Sequence, residues 1–422
     1  MKPLPTVCVV GLGYVGLPLA HGFAKKGYTT IGYDIDAGRI DELQAGKDRT
    51  KELSAKELKE VTMKFSANPT VIAEADIVII ALPTPVDEKN KPDIAILKAG
   101  SNTVGENMKK GAIIVFESTV WPGTTEEICG PILEKASGMT CGKDFFLGYS
   151  PERINPGDKK HRLSSIVKVV SGQTPDVLKT LTELYGSVVD AGIHQAPSIK
   201  VAEMAKAIEN AQRDLNIAYI NEIAMLCGKI GIASKDVLDA ASTKWNFLRF
   251  TPGLVGGHCI GVDPYYLVEK AKEYGMDTHI ITAGRSVNEG MAQFVADQVH
   301  ALLGGKDKKV LVLGLTFKED VPDTRNSKSG DVIAALEKHG HTVLAHDPYM
   351  LASTIEKNGW TAGTIEEGSY DAIVLLVPHK EYLALETEGL LGATKSSGVI
   401  YDLKSVLDGK TIVEAGRKYL AL

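Results

Sequence analysis

The chain is 422 residues long, more than the roughly 250–300 at which one hydrophobic core stops growing, so two or three domains are expected. Its 44% hydrophobic and 24% charged residues exclude a disordered or fibrous chain, and a net charge of −6 with scattered basic residues argues against a nucleic-acid footprint. Five cysteines without a Cys-x-x-Cys fit neither a disulfide framework nor a zinc site, which leaves reduced thiols in a reducing compartment.

The apolar stretch from Lys2 to Leu19 superficially resembles a secretory leader, but Gly11, Gly13 and Gly16 interrupt it. With no unbroken apolar run of about 18 residues elsewhere, a cytoplasmic protein without a membrane span is expected. Residues 6–10 read as a strand, residues 14–26 carry helical spacing, and residues 29–34 return to strand composition, which together make a βαβ unit. Gly11-Leu12-Gly13-Tyr14-Val15-Gly16 at the first strand-to-helix turn fits the dinucleotide fingerprint. Asp34 stands 18 residues after Gly16, where a carboxylate accepts bonds from ribose hydroxyls and repels a 2′-phosphate, so NAD is the expected cofactor. A glycine-rich turn with a surface aspartate is the competing explanation.

Further apolar runs at residues 77–82, 112–117 and 145–149 continue the rhythm of an open parallel sheet with helices on both faces, placing a first domain at residues 1–195. Thr84, Ser118 and Thr119 follow strands at the carboxyl edge, where such folds bind ligands; ordinary turn chemistry after a strand is the competing explanation.

From Ser198 to Ile230 one periodic stretch reads as a long helix, about 45 Å for 30 residues, suited to bridging domains or packing on a second subunit. Helical sequence continues to residue 303, so residues 196–303 form a helical middle. Lys206, Asn210 and Arg213 share one face of that helix; a solvated stripe paired with Glu203 and Glu209 is the alternative. Gly256-Gly257-His258-Cys259 puts a thiol in a glycine-rich loop that substrate can reach, whereas Cys8 in a strand and Cys227 in a helix read as small buried hydrophobes. A lone loop cysteine is by default inert; a neighbouring ammonium lowers its pKa and stabilises an oxyanion. At Lys309 the α/β rhythm restarts, with strands at 310–313, 341–346, 372–377 and 399–401 and a helix at 330–339. Residues 304–422 form a second such domain without a full glycine fingerprint. The expected fold class is α/β, two doubly wound Rossmann-like domains joined by a long helix and a helical middle.

Taken together these segments closely resemble the UDP-glucose/GDP-mannose dehydrogenase family over nearly the whole chain. The resemblance is carried by the glycine loop, Glu117-Ser118-Thr119-Val120, Ser150-Pro151-Glu152-Arg153, Glu203-Met204-Ala205-Lys206 with Asn210, Gly256-Gly257-His258-Cys259 with Asp263, and Phe317-Lys318 leading to Arg325. It implies that Cys259 is the nucleophile, that Lys206 stabilises an oxyanion or transfers protons, and that Asp263 and Thr119 help to position or activate water. Glu152 and Asn210 match further active-site positions. Arg153, Ile154, Arg213, Arg249 and Gly256 fall where relatives contact the nucleotide sugar. Lys206, Asn210 and Glu152 also face that substrate, and Lys318 resembles a uridine-diphosphate contact. The cofactor set becomes Gly11, Gly13, Tyr14, Val15, Gly16, Asp34, Arg39, Thr84, Thr119 and Arg325.

The implied reaction oxidises C6 of a UDP-sugar to the acid with two NAD, through a thiohemiacetal and a thioester on Cys259, as surface-polysaccharide precursor synthesis requires. A homodimer or higher homo-oligomer is implied, without nucleic-acid or membrane partners. Two positions depart from relatives: Pro156 replaces a second glutamate of some UDP-glucose dehydrogenases, and Lys404 stands where many carry arginine. The loop from His258 to Tyr266 looks most like the UDP-N-acetylhexosamine branch. UDP-N-acetylglucosamine or UDP-N-acetylgalactosamine is therefore the expected substrate, with UDP-N-acetylmannosamine and UDP-glucose as alternatives. A single-step hydroxyacid dehydrogenase would not need Cys259, and a non-catalytic NAD sensor would not keep Cys259, Lys206 and Asp263 together.

Overall fold

The computed structural model describes residues 3–87, 91–153, 163–257, 259–366 and 368–422. Contacts divide the chain into two units, Met1–Glu209 with Tyr265–Met276, and Asn210–Pro264 with Asp277–Leu422.

The first unit is built on strands β1 (Val7–Val10), β2 (Thr30–Tyr33), β3 (Lys64–Ser66), β4 (Ile77–Ile80), β5 (Ile113–Phe116), β6 (Phe146–Tyr149), β7 (Lys168–Gly172) and β8 (Ile193–Gln195), ordered β3-β2-β1-β4-β5-β6-β7-β8. β1 and β4 are buried along their whole length, as unbroken apolar runs covered by helices on both faces should be. Alternate residues serve opposite cores: Cys8, Val10, Val78 and Ile80 pack on one face, Val7, Val9, Ile77 and Ile79 on the other. β1 pairs in parallel with both β2 and β4, so the chain leaves β1 into Gly11 at the point where strand order reverses.

One expectation fails here. The sheet is not parallel throughout, because β7 runs antiparallel to β6 through Gly148↔Gly172 and Tyr149↔Ser171. The Ser150 hydroxyl donates to the Val169 carbonyl at 2.9 Å and that of Ser171 to Tyr149 at 2.8 Å, which fixes this reversed register. Apolar composition alone carries no strand direction.

In the second unit β9 (Lys309–Leu313), β10 (Thr342–His346), β11 (Tyr370–Leu375), β12 (Thr394–Asp402) and β13 (Lys418–Ala421) form a parallel sheet ordered β10-β9-β11-β12-β13. Helix His279–Leu303 lays Met291, Val295 and Val299 on its core. The long helix spans Ile199–Ile230, contributing residues through Glu209 to the first unit and the remainder to the second. Two α/β sheets with a largely helical stretch between them in the chain bear out the fold class. No helix among the described residues is long and apolar enough to cross a membrane.

Candidate active site

In the first unit the glycine loop is held by its own chemistry. Gly11 has φ +92°, and a Cβ there would stand 2.7 Å from the Ala81 carbonyl; one on Gly16 would collide with the Gly11 carbonyl. Gly13 differs, since no protein atom lies within 4 Å of its would-be Cβ. Packing therefore does not require that glycine, whereas close approach of a pyrophosphate does. Helix Gly16–Lys25 starts without a side-chain cap or an acidic residue in its first turn; Leu17 N and Leu19 N are bonded to the Gly13 and Val15 carbonyls, so the positive end of the helix dipole is what it offers an anion. The loop fits NAD on these grounds.

Asp34 also braces that loop. Its Oδ2 accepts from Leu12 N at 2.8 Å and its Oδ1 from Asp36 N at 3.0 Å. Arg39 is buried below, donating from Nε to the Leu12 carbonyl at 2.9 Å and from a terminal nitrogen to Asp48 at 2.7 Å, so it supports the fingerprint from behind. At the ends of β4 and β5, the Thr84 hydroxyl donates to the Thr119 carbonyl at 2.7 Å and the Ser118 hydroxyl to Leu82 at 2.6 Å. Tyr266 Oη donates in turn to the Thr84 carbonyl.

Glu152, just after β6, accepts from Arg153 N at 2.7 Å and from Lys168 Nζ at 2.8 Å. The Arg153 guanidinium pairs with Glu209 and donates to the Val167 carbonyl at 3.0 Å. Ile154 lies outside the described residues, as do Pro156 and His258. Lys206 is buried at 7% exposure. The surface-stripe alternative fails for its neighbours, because Glu203 is fully buried and accepts from Gly123 N and Thr125 N at 2.5 and 2.8 Å, while Glu209 holds Arg153. Burial pushes the Glu203 carboxyl up to about 7, against those bonds.

In the second unit Cys259 is exposed, while Cys8, Cys129 and Cys227 are buried. Its carbonyl accepts from Val262 N and Asp263 N at 3.1 and 2.9 Å, a tight turn that starts helix Asp263–Glu273. Asn210 Nδ2 donates to Asp263 Oδ2 at 2.5 Å, so two expected site residues meet. The glycines before the thiol are steric necessities: a Cβ on Gly256 would be 2.7 Å from the Asn326 carbonyl, and one on Gly257, at φ +84°, 2.8 Å from the Phe317 ring. The loop is anchored earlier by Asn221, which accepts from Gly253 N at 2.7 Å and donates to Gly253 O at 3.0 Å and to Asn288 at 2.9 Å. Asn288 donates to Asp214 at 2.7 Å and Arg285 to the same carboxylate at 2.6 Å, making a buried polar chain between two helices.

Gly256 also lines a pocket with Phe317, Lys318, Glu319, Lys328 and Lys404. Lys404 is half-buried, which pulls its ammonium down, with Glu319 opposing, and it donates to the Pro252 carbonyl at 3.4 Å. Lys328 is paired with Glu289 and Asp331, which leaves Lys318 and Lys404 as the other cationic groups lining the pocket beside Glu319. Arg325 pairs with Asp323 at 2.7 Å, Arg249 with Asp239 at 2.5 Å, and Arg213 is exposed. The second sheet repeats the first loop's frame: Gly314 has φ +89° and Asp347 Oδ2 accepts from Leu315 N at 2.7 Å. There the carboxylate is closed off by buried His379, whose Nε2 donates to it at 3.0 Å.

Sequence reasoning missed Lys168, Glu117 and the Asn221 anchor. A lysine inside the run Ile166–Val170 was the available signal for the first.

Comparison with known proteins agrees along the whole chain. Residues 5–189 match the NAD binding domain of the UDP-glucose/GDP-mannose dehydrogenase family, residues 200–290 its central domain and residues 311–409 its UDP binding domain. A UDP-N-acetyl-D-glucosamine 6-dehydrogenase of Pseudomonas aeruginosa is 50% identical over 416 residues, covering 97% of this chain and 98% of the relative. One from Salmonella typhi is 45% identical over 409 residues, covering 95% and 96%. A solved UDP-D-ManNAc dehydrogenase from Pyrococcus horikoshii superposes with TM-score 0.89 at 30% identity, covering 99% of this chain and 98% of that one.

Proposed function

The chain belongs to the UDP-glucose/GDP-mannose dehydrogenase family, and from that premise we propose that it oxidises C6 of UDP-N-acetylglucosamine or UDP-N-acetylgalactosamine to the uronic acid. The observation that carries this reading is the end-to-end similarity, at 50% and 45% identity, to two relatives named for UDP-N-acetyl-D-glucosamine 6-oxidation. The exposed Cys259 in its rigid glycine loop supplies the covalent step.

The fingerprint loop, with Asp34 towards the ribose, would hold NAD, which when bound would supply the acceptor for both hydrides. The alcohol loses one hydride and one proton to give an aldehyde. Cys259 Sγ adds to the aldehyde carbon, forming a thiohemiacetal that still carries a hydride; its loss gives the thioester. Water then attacks the acyl carbon, the C–S bond breaks, and acid and thiol are released. Per molecule, one alcohol, one water and two NAD yield one carboxylate, two NADH and three protons.

Tetrahedral stages place negative charge on oxygen, for which Lys206 and Asn210 are the proposed donors, while Asp263 and Thr119 serve the water. Glu152 presents a carboxylate to the substrate. Arg153, Ile154, Arg213, Arg249, Gly256 and Lys318 are assigned to the nucleotide sugar, Arg325, Arg39 and Thr84 to the cofactor side. The lysine-lined pocket suits the diphosphate. The protein is proposed to act in the cytoplasm on surface-polysaccharide precursors, as a homodimer joined through the long helix, which exposes Val201, Met204, Ile208, Leu226 and Ile230.

The test compares UDP-N-acetylglucosamine, UDP-N-acetylgalactosamine, UDP-N-acetylmannosamine and UDP-glucose under one set of conditions. Two NADH per acid and a preference in kcat/KM for the first or second are expected. Preference for UDP-glucose refutes the substrate, and one NADH per product refutes the double oxidation. Cys259→Ala should bind NAD yet make no acid.

A further inference from the structure

Behind Glu152 the first unit buries a charge cluster that none of these roles employs. Lys168 opens β7 inside an apolar run, and its side chain is 3% exposed. Its Nζ donates to Glu117 Oε2 at 2.7 Å and to Glu152 Oε2 at 2.8 Å. The phenol of Tyr185, on helix Pro175–Gly186, donates to the other Glu117 oxygen at 2.6 Å. Arg153 N holds the other Glu152 oxygen at 2.7 Å, and its guanidinium is engaged by Glu209. Among the described residues, these are the charged and titratable groups facing Glu117 from the elements packed on it.

Stability is a weak reason to keep such a cluster, since apolar residues of similar volume often serve a buried position as well or better. Its location is more telling. Glu117 directly precedes Ser118 and Thr119 at the carboxyl edge of the sheet, and the antiparallel turn of β7 brings Lys168 back to that same edge beside Glu152. Two carboxylates share one ammonium there. Burial pushes Glu117 up to about 7, with Lys168 opposing and Glu152 adding to the shift, so its charge changes near neutrality. Burial pulls Lys168 down, but Glu117 and then Glu152 outweigh it and leave it raised and charged.

We propose that Glu117 and Lys168 are positioning residues of the oxidation: Lys168 fixes the Glu152 carboxylate as an acceptor for the substrate, and Glu117 governs how much of that ammonium Glu152 receives. The inference rests on the assignment of Glu152 to the active site. When Glu117 takes up a proton, Lys168 turns to Glu152 alone; when it is ionised, the ammonium is shared.

The full chain as wild type, Glu117→Gln, Lys168→Met and Lys168→Arg is assayed with UDP-N-acetylglucosamine and NAD from pH 6 to 9, with NAD binding measured separately. Glu117→Gln keeps the shape, its amide oxygen still accepting from Lys168 while its NH2 must donate to Tyr185 Oη in place of accepting from it; it should bind NAD as wild type does, but lose an inflection of kcat near pH 7. Lys168→Met should lower kcat on the order of ten- to a hundredfold with KM for NAD unchanged, and Lys168→Arg should recover most of it. A Glu117→Gln profile superimposable on wild type at every pH overturns the proposal, as does a Lys168→Met loss matched by lost NAD binding and not relieved by arginine. Wild-type stoichiometry separates the two levels of failure. Two NADH per acid with an unaltered Glu117→Gln sinks only this inference, whereas wild type that makes no acid sinks the functional reading and this inference with it.

Discussion

Asn221→Ala should both loosen the nucleophile loop and destabilise the second unit. Asn221 is 0% exposed and makes three bonds: it accepts from Gly253 N at 2.7 Å and donates to Gly253 O at 3.0 Å and Asn288 Oδ1 at 2.9 Å. Truncation leaves three buried polar groups without that partner, at about 1–3 kcal/mol each, so about 3 kcal/mol is expected at the lower end. For a unit of about 200 residues each kcal/mol lowers the melting temperature by about 2–4 °C, giving a drop of about 6–12 °C. Gly253 lies six residues before Cys259 in the same loop, whereas the NAD fingerprint lies in the other unit. Activity should therefore fall at temperatures where the protein is still folded, while NAD affinity holds. Calorimetry reads the first effect; steady-state kinetics and alkylation of Cys259 by iodoacetamide read the second. A melting temperature within about 2 °C of wild type, with unchanged alkylation and kcat, would refute the anchoring argument.

Burial raises Glu117 and Glu203 from 4.5 to about 7, so each stabilises the first unit fully below about pH 4.5 and loses that contribution as pH climbs towards 7, on the order of 3 kcal/mol apiece. The first unit should become easier to unfold between pH 5 and 8, followed by hydrogen exchange in helix Pro175–Gly186; constant or rising protection contradicts this. Sedimentation at micromolar concentration should give a dimer through the long helix, and a monomer excludes that interface.

What the sequence revealed was mostly local. The glycine loop, Asp34 and the exposed thiol are legible because steric need and chemistry coincide within a few neighbouring residues, as Gly11, Gly16 and Gly257 illustrate. Direction and partnership were not. Nothing in Lys168–Gly172 tells that it runs against β6, and Glu117 meets Lys168 across 51 positions of chain. Asn221 is one of several polar residues on the long helix, and only the fold places Gly253 against it. Arg39 and Thr84 gave a different lesson. Motif position associates them with the cofactor, and the fold adds that the Leu12 and Thr119 carbonyls hold them, contacts that no motif predicts.

The two sheets share one turn frame and differ in what surrounds it. Gly11 and Gly314 adopt the same left-handed backbone after the first strand of each sheet, at φ +92° and +89°, and Asp34 and Asp347 brace the following amide at 2.8 and 2.7 Å. After the first turn a helix begins at Gly16, uncapped and open to an anion; after the second the next helix begins only at Ser329. The intervening segment carries Phe317 and Lys318 into the pocket that Lys404 completes from the far end of β12. His379 occupies the Asp347 carboxylate, donating from Nε2 while its Nδ1 accepts from Asp320 N at 3.0 Å. A carboxylate so engaged is poorly placed to recognise a ribose, and the neighbouring pocket is lined instead by Lys318, Lys328 and Lys404. The same strand-turn architecture thus offers a helix dipole in one unit and ammonium groups in the other. That division matches the NAD binding and UDP binding domains of the family the chain belongs to.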